Sequence, residues 1–337
     1  MLYNTFKQCI IQHNKAQQGI YAMSNGFKVP EAAIKAKQEE TILKNKARAA
    51  ELAGEPVQLT LGTWFKKQRA IPKPISNSAI FRVLAKGEQR LILRNEKVAS
   101  RTKGGVAEFE VFFTGEELDQ RDMDLWLECC HEVHMNDNNC SSIQLTQTEM
   151  LKRLKRSKSG VAVKQLKASL LRLQGAQIVV EGNDESGKKY TYISSLVLRA
   201  LVNKDGINVQ LDSELSGLFS RSVAYVDHEL RLSLGSDLAK AMFAFVTSDR
   251  PEEYRSGSFH RVKVNELHGI VGSRATTPNF KKSLRIAMNL LITKGVINYW
   301  AFIGNGSTAI EYTLTSSAGR KPAKWHITPD NKRCFQD

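Results

Sequence analysis

From Ile143 to Leu314 the chain spells one order of local signals twice, and this repetition limits the fold more than anything else in the sequence. In the first pass Ile143-Gln-Leu-Thr146 reads as a short strand, and Thr146-Gln-Thr-Glu149 is a capping box that opens a helix. Gly160 precedes a second helix, Val161 to Gln174, which stops at Gly175. Strands at Gln177 to Glu181 and Tyr190 to Val197 follow, joined through the turn signal Asn183-Asp-Glu-Ser-Gly187. In the second pass Val262-Lys-Val264 is the strand and Asn265 caps a helix through Val271. Thr277 is then an N-cap, with Pro278 at the first helical position. That helix runs to Lys294 and stops at Gly295, and Val296 to Phe302, Gly304-Asn-Gly306 and Ala309 to Leu314 make a hairpin. Leu170-Leu171 and Leu290-Leu291 lie equally far ahead of their stopping glycines, which aligns the passes at an offset of 120 residues.

Each pass opens with one more helix, Gly115 to Met135 in the first and Ser236 to Ser248 in the second. Helix, strand, helix, helix and hairpin make up the winged-helix plan, a relative of helix-turn-helix. The expected fold class is α+β: two tandem winged-helix domains at 76–205 and 206–316, an N-terminal arm at 1–75 and a basic tail at 317–337. Within the arm, Glu31 to Leu52 is an Ala-, Lys- and Glu-rich helix with little to bury, set between Pro30 and Gly54. Pro56, Pro72 and Pro74 give residues 54–80 the composition of an extended linker, so the folded body is expected to begin near Ser76.

Charge narrows the partners. Among 337 residues, 49 are Lys or Arg and 34 are Asp or Glu, a formal charge of +15 that points to a polyanion. The excess is patchy: residues 63–106 hold eleven basic and two acidic side chains, whereas 115–205 hold thirteen of each. No apolar run is long enough to span a bilayer, and Met1 to Asn14 lacks the features of a secretion signal, so a cytoplasmic protein without membrane contact is expected. The five cysteines lack C-x-x-C spacing and read as reduced thiols. Cys130, His131, His134 and Cys140 could be drawn as a zinc site, but their spacing is looser than usual ligand pairs, and no metal or cofactor is expected. Nor is an enzyme. The G-x-x-x-x-G-K-[ST] loop is missing, the histidines are scattered, and Asp122 and Asp124, two apart on a helix, should diverge toward solvent.

The second helix of each repeat carries the candidate DNA contacts. At about 100° per residue, Phe280, Leu284, Ala287, Met288 and Leu291 share one face, while Lys281, Lys282, Arg285 and Asn289 lie opposite. Arg274, Thr276, Thr277 and Asn279 at the N-terminal end would be nearest the base edges if the helix entered a major groove. Between Leu267 and Ile310 there is no Asp or Glu. A merely solvated face usually mixes both signs, as Glu31 to Leu52 does, so this one-sign face favours DNA. In the first repeat Lys152, Arg153, Lys155, Arg156, Lys158, Lys164, Lys167 and Arg172 lie in the acid-free stretch Met150 to Val180 and suit phosphate contact. Trp300 and Tyr299 read as core aromatics of the second wing, while Lys188 and Lys189 flank the tip of the first.

The segment from Phe113-Thr-Gly-Glu-Glu-Leu through Asp-Met-Asp-Leu-Trp126 resembles the TrfA replication initiators of broad-host-range plasmids, which carry a similar Thr-Gly-x-Glu-Leu run ahead of an acidic helix with tryptophan. A thinner likeness extends through both repeats and upstream through Ala70-Ile-Pro72 and Ser78-Ala-Ile-Phe81. The resemblance implies a non-enzymatic protein that binds direct repeats of double-stranded DNA at an origin, helps open an adjacent A·T-rich segment, and engages the host replicative helicase and host chromosomal initiator. It also implies that the C-terminal winged helix does most of the base reading, and that dimers exchange with active monomers. Ile207 to Leu211 and the helix Gly115 to Met135 are candidate self-association surfaces. The family's sliding-clamp motif has its counterpart in Gln58-Leu-Thr-Leu-Gly62, with Leu59 and Leu61 as anchors and Gly62 in place of the aromatic residue. A winged-helix transcriptional regulator would share the basic helices and need neither origin nor clamp.

Overall fold

The computed structural model describes residues 67–103, 106–107, 109–135, 142–183, 189–203, 206–212, 215–219, 223–248, 259–315, 325–327 and 333–335. All of them fall in one compact unit, Leu59–Asp337. The helix expected at Glu31 to Leu52 and the segment Gln58 to Gly62 lie outside the described residues.

Residues 68–80 are core, which corrects the expected linker and the arm boundary at 75. Strand β1 (Gln68–Pro72) runs antiparallel to a strand more than 150 residues away in the chain, and the single-turn helix α1 (Lys73–Ser76) follows it. Pro72 ends the strand and Pro74 sits in the first helical turn, two places where a missing N–H costs little. Ala70, Ile71, Ile75, Ala79 and Ile80 are buried. Pro72 and Pro74, which look like linker residues, are the joints of a folded corner, and Pro56 lies outside the described residues.

Strand β2 (Phe81–Arg82) leads to β3 (Ile92–Val98), the small hairpin β4 (Thr102–Lys103) and β5 (Val106–Ala107), then β6 (Phe109–Glu116) and β7 (Leu118–Asp119). Helix α2 (Gln120–Met135) starts five residues later than expected, because Gly115 to Asp119 are extended. Gly115 has φ +138, and a Cβ there would lie 2.8 Å from the Gly175 carbonyl oxygen, so only glycine fits. Next come β8 (Ser142–Leu145), α3 (Gln147–Arg153), α4 (Gly160–Gly175), β9 (Gln177–Asn183) and β10 (Lys189–Ser195). The Thr146–Glu149 capping box is present in full, and Ser159 caps α4 by accepting from Ala162 N–H at 3.2 Å.

Strands β11 (Arg199–Val202) and β12 (Ile207–Gln210) precede α5 (Ser216–Phe219), β13 (Val223–Asp227), α6 (His228–Ser233) and α7 (Asp237–Ser248). The second repeat is β14 (His260–Lys263), α8 (Val264–Ile270), α9 (Thr277–Thr293), β15 (Ile297–Ile303) and β16 (Ala309–Leu314), and two short strands, β17 (Trp325–Ile327) and β18 (Arg333–Phe335), pair beyond it. Two caps shift. Lys263 precedes α8, which puts Asn265 inside the helix, and Thr276 rather than Thr277 caps α9, without a side-chain bond.

The chain is mixed α+β, and its two repeats differ in their sheets. In the second, β14-β16-β15 form the three-stranded sheet that a helix-strand-helix-helix-hairpin unit makes when its first strand joins its hairpin. In the first, the hairpin extends a four-stranded sheet, β10-β9-β6-β3, and β8 instead joins β11-β12-β8. Strand β12 therefore has partners on both sides and offers no free edge for self-association, and α2 is buried from Gln120 to Val133 except at Arg121, which leaves that helix without an open face.

Candidate nucleic-acid interface

Helix α9 buries Phe280, Leu284, Ala287, Met288 and Leu291, as its periodicity requires, and leaves Asn279, Lys282, Arg285 and Asn289 exposed. The wing steadies one edge of that face. The Lys281 ammonium, half-buried, donates to the Gly306 carbonyl at 2.6 Å; the Arg285 guanidinium lies 5.7 Å from the Phe302 ring centre; and Trp300 Nε1 donates to Asn289 Oδ1 at 2.8 Å. These three side chains recur every four residues, so one edge of the helix is held along the hairpin and fewer rotamers remain to be frozen on binding. Trp300 is buried, as a core aromatic should be, and its indole N–H also orients a candidate reader. Thr276 and Thr277 are exposed at the N-terminal end.

Arg274 departs from that group. Its guanidinium pairs with Glu117 and with Glu88 at 2.8 Å, and donates to the Gln89 carbonyl at 3.0 Å. Glu117 is fully buried, and it also lies 3.0 Å from Arg82. Burial would raise the Glu117 carboxyl, but the Arg274 hydrogen bond, the Leu91 N–H and the charges of Arg82 and Arg274 together hold it below the usual carboxylate range. Arg274 thus ties the turn before α9 to the β6–β7 region, a role invisible in a window around α9.

In the first repeat, α4 buries Ala162, Leu166, Ser169, Leu170 and Leu173. These match Phe280, Leu284, Ala287, Met288 and Leu291 of α9 at a shift of 118 residues, which corrects the offset of 120. The leucine pairs mislead because they sit in different phases: Leu170 is buried and Leu171 is 69% exposed, whereas Leu290 is half-buried and Leu291 is buried. At the corrected shift Lys164 matches Lys282 and Lys167 matches Arg285, and all four are exposed. Lys152, Lys155 and Lys158 are also exposed, Lys155 4.0 Å from Glu229 in the left-handed conformation that ends α3.

The arginines of this stretch are engaged by other parts of the protein, Arg153 while still exposed and Arg156 half-buried. Arg153 pairs with Glu132 and lies 3.3 Å from Glu128, Arg156 donates to the Arg121 carbonyl at 2.8 Å, and Arg172 grips Asp122 at 2.7 Å. Their acceptors lie largely on α2, whose carboxylates do not face solvent as expected. Asp122 and Asp124 are both buried, Asp122 with Arg172 and Arg90, Asp124 with Arg231 at 2.8 Å and Lys240 at 2.6 Å. Glu128 is held by Arg69 at 2.8 Å and His228 at 3.2 Å. Burial pushes the Glu128 carboxyl up, but the His228 hydrogen bond and the charges of Arg69 and His228 outweigh it and bring it down to about 2. One turn on, burial and the Glu128 charge raise Glu132 in spite of Arg153. Helix α2 is thus an acidic axle gripped by cations from both repeats. Trp126 anchors it, stacked near Phe219 and donating its indole N–H to the Leu196 carbonyl at 3.1 Å.

Among the described residues, no group of three or more His, Cys, Asp or Glu is placed to hold a metal, and no helix is long and apolar enough to cross a membrane. Cys130 and His131 are buried in α2; Cys140, Lys188 and the His134 side chain lie outside the described residues. The clamp-motif candidates Gln58, Leu59 and Leu61 lie outside them too.

No curated protein matches this chain. Among solved structures, domains 2 and 3 of RctB resemble it with a TM-score of 0.49 at 11% identity, covering 73% of this chain and 99% of that one. A second structure of RctB domains 2–3 gives 0.46 at 12% identity, over 71% and 95%. The Pi initiator protein in complex with iteron DNA gives 0.43 at 10% identity, over 58% and 94%. At these scores the likenesses carry no weight for function. The family model described as "Replication initiator protein A" matches residues 118–290, from the strand ahead of the acidic axle to the exposed basic helix. The chain belongs to the Replication initiator protein A family.

Proposed function

We propose that this protein is a non-enzymatic initiator of plasmid replication, which binds direct repeats of duplex DNA at an origin through two winged-helix domains and promotes opening of neighbouring A·T-rich DNA. The observation that carries this reading is the exposed face of α9: Asn279, Lys282, Arg285 and Asn289, with its edge steadied by the wing, in a stretch from Leu267 to Ile310 without a carboxylate. An α-helix about 10–12 Å across fits a major groove about 12 Å wide. There Arg and Asn supply the planar donor sets that base edges accept, and Lys neutralises phosphate. The lysines of α3 and α4 give the first repeat a backbone-contacting role. Family membership favours replication over transcription as the purpose of that binding.

The finer TrfA-type assignment rests on the Phe113–Trp126 segment. Recruitment of the helicase, the chromosomal initiator and the sliding clamp, dimer–monomer exchange and a cytoplasmic location are proposals that follow from that resemblance and from the sequence. Replacing Lys281, Lys282 and Arg285 together with Ala should weaken binding to repeat-bearing origin DNA and lower the salt dependence by roughly 0.9 units of slope for each phosphate no longer neutralised. Fluorescence anisotropy across a salt series measures both, and unchanged affinity and slope would overturn the reading. A plasmid carrying this gene beside its flanking repeats should replicate only while the gene is intact, and a regulator without replication function would fail that test.

A further inference from the structure

The exposed ridge of α9 holds one side chain that carries no charge and no hydrogen-bonding group. Ile286 is 62% exposed, and Asn279, Lys282, Ile286 and Asn289 follow one another at helical spacings of three, four and three residues, opposite the buried row. Isoleucine suits a solvated helix face poorly: it forms helix less well than Lys, Gln or Ala and leaves apolar surface in water. The other ridge positions Asn279, Lys282 and Asn289 are polar or cationic, and the helix's second exposed isoleucine, Ile292, is 37% exposed and lies off that line beside the Arg285 edge. On α4 the position matching Ile286 is Ala168, which is half-buried, and the exposed apolar side chains there, Val161 and Leu171, stand instead at the places of Asn279 and Asn289.

The floor of a major groove offers one apolar group, the 5-methyl of thymine. We propose that Ile286 is a specificity-determining residue that packs on thymine methyl groups, so that this protein's sites are selected in part by thymine at the positions facing the middle of α9. The inference rests on the reading that α9 enters the major groove. Lys282 and Arg285 beside Ile286 bring phosphate-rich DNA to the ridge, and no carboxylate on the helix opposes it. Asn289, held by Trp300 at 2.8 Å, fixes the depth at which a hydrogen-bonding neighbour would meet the bases.

The test is a double-mutant cycle with the full-length chain. Duplexes are selected from a random pool by the wild-type protein, and the winning sequence is remade with deoxyuridine replacing thymidine one position at a time, which removes the methyl group and leaves the base-pairing edge intact. The wild type should lose about fourfold in affinity at one or two positions, the worth of burying one methylene-sized group. Ile286→Ala should bind the thymine site more weakly but show no further loss at those same positions. Equal binding of thymine and uracil sites by the wild type, or undiminished uracil sensitivity in Ile286→Ala, would overturn the inference while leaving DNA binding by α9 in place. If no sequence is enriched and α9 substitutions change nothing, the parent reading fails instead. Because Ile286 lies outside the core, unchanged helical circular dichroism shows that the variant is folded and that its weaker binding arises at the DNA surface.

Discussion

Helices α4 and α9 bury the same five positions at a shift of 118 residues, yet the faces they leave in water differ in chemistry. On α9 the exposed positions are Asn279, Lys282, Arg285, Ile286 and Asn289; their matches on α4 are Val161, Lys164, Lys167, Ala168 and Leu171, of which only Ala168 is half-buried. Both helices keep two cations at the same places. At these positions α9 has planar side chains that can discriminate bases where α4 has none, and α9 is braced by its own hairpin. In the first repeat the hairpin is bound into a four-stranded sheet, and the planar cations Arg153, Arg156 and Arg172 are engaged by groups on α2. On the proposed function the shared plan is divided: one copy holds the molecule together and would offer point charges, the other would offer a reading surface.

The division can be broken first at its buried side. Glu128→Gln should cost about 3 kcal/mol in denaturant unfolding, because it breaks the buried ion pair between Glu128 and Arg69. The double change Lys164→Ala with Lys167→Ala should shift stability by less than about 0.5 kcal/mol. The same carboxylate sets an acid limb. Its folded pKa of about 2 lies below the ordinary 4.5, so its stabilisation is complete above about pH 4.5 and is lost as pH falls toward 2. Glu128→Gln should flatten that limb in unfolding curves measured across pH; an unchanged limb would mean that Glu128 is not its source.

The reading surface comes next. Arg285→Ala and Asn289→Ala should each lower affinity for a selected site by about 1–3 kcal/mol while changing random-duplex binding far less, as competition titrations would show. Lys164→Ala with Lys167→Ala should instead weaken all sequences alike and reduce the salt slope by roughly 0.9 for each phosphate released. A loss of discrimination from the α4 pair would erase the proposed contrast. The smallest effect concerns how each helix starts. Ser159→Ala removes a cap bond and should cost about 1 kcal/mol, whereas Thr276→Ala, whose hydroxyl makes no cap bond, should leave stability nearly unchanged. Thermal melts of the two variants compare them directly.

Element order is legible in the chain because caps, stopping glycines and apolar periodicity are local signals. The phase between repeats is not, since Leu170-Leu171 and Leu290-Leu291 look alike until burial shows which leucine faces inward. Long-range pairing is the larger gap. Asp122 and Asp124 look like solvent-facing acids because their cations stand 32 to 116 residues away, and Arg274 looks like a base reader because Glu117 is 157 residues distant. The segment around Gly115, Glu117 and Trp126 that resembles an initiator family serves assembly: a glycine against a carbonyl, a buried acid under two arginines, and an indole bonded to a backbone. Ile286 escapes a reading by charge because it carries none, and only its exposure marks it out.

The pairing of β1 with β13, Gln68 opposite Asp227 and Pro72 opposite Val223, has a consequence for synthesis. The opening strand leaves the ribosome long before its mate, and until then its N–H and C=O edge has nothing to close on. Final assembly must therefore wait until nascent chain through Asp227 has emerged, so the earlier repeat cannot complete its native packing alone. A chain released at residue 205 should remain protease-sensitive at Gln68–Pro72, and the full-length chain should not.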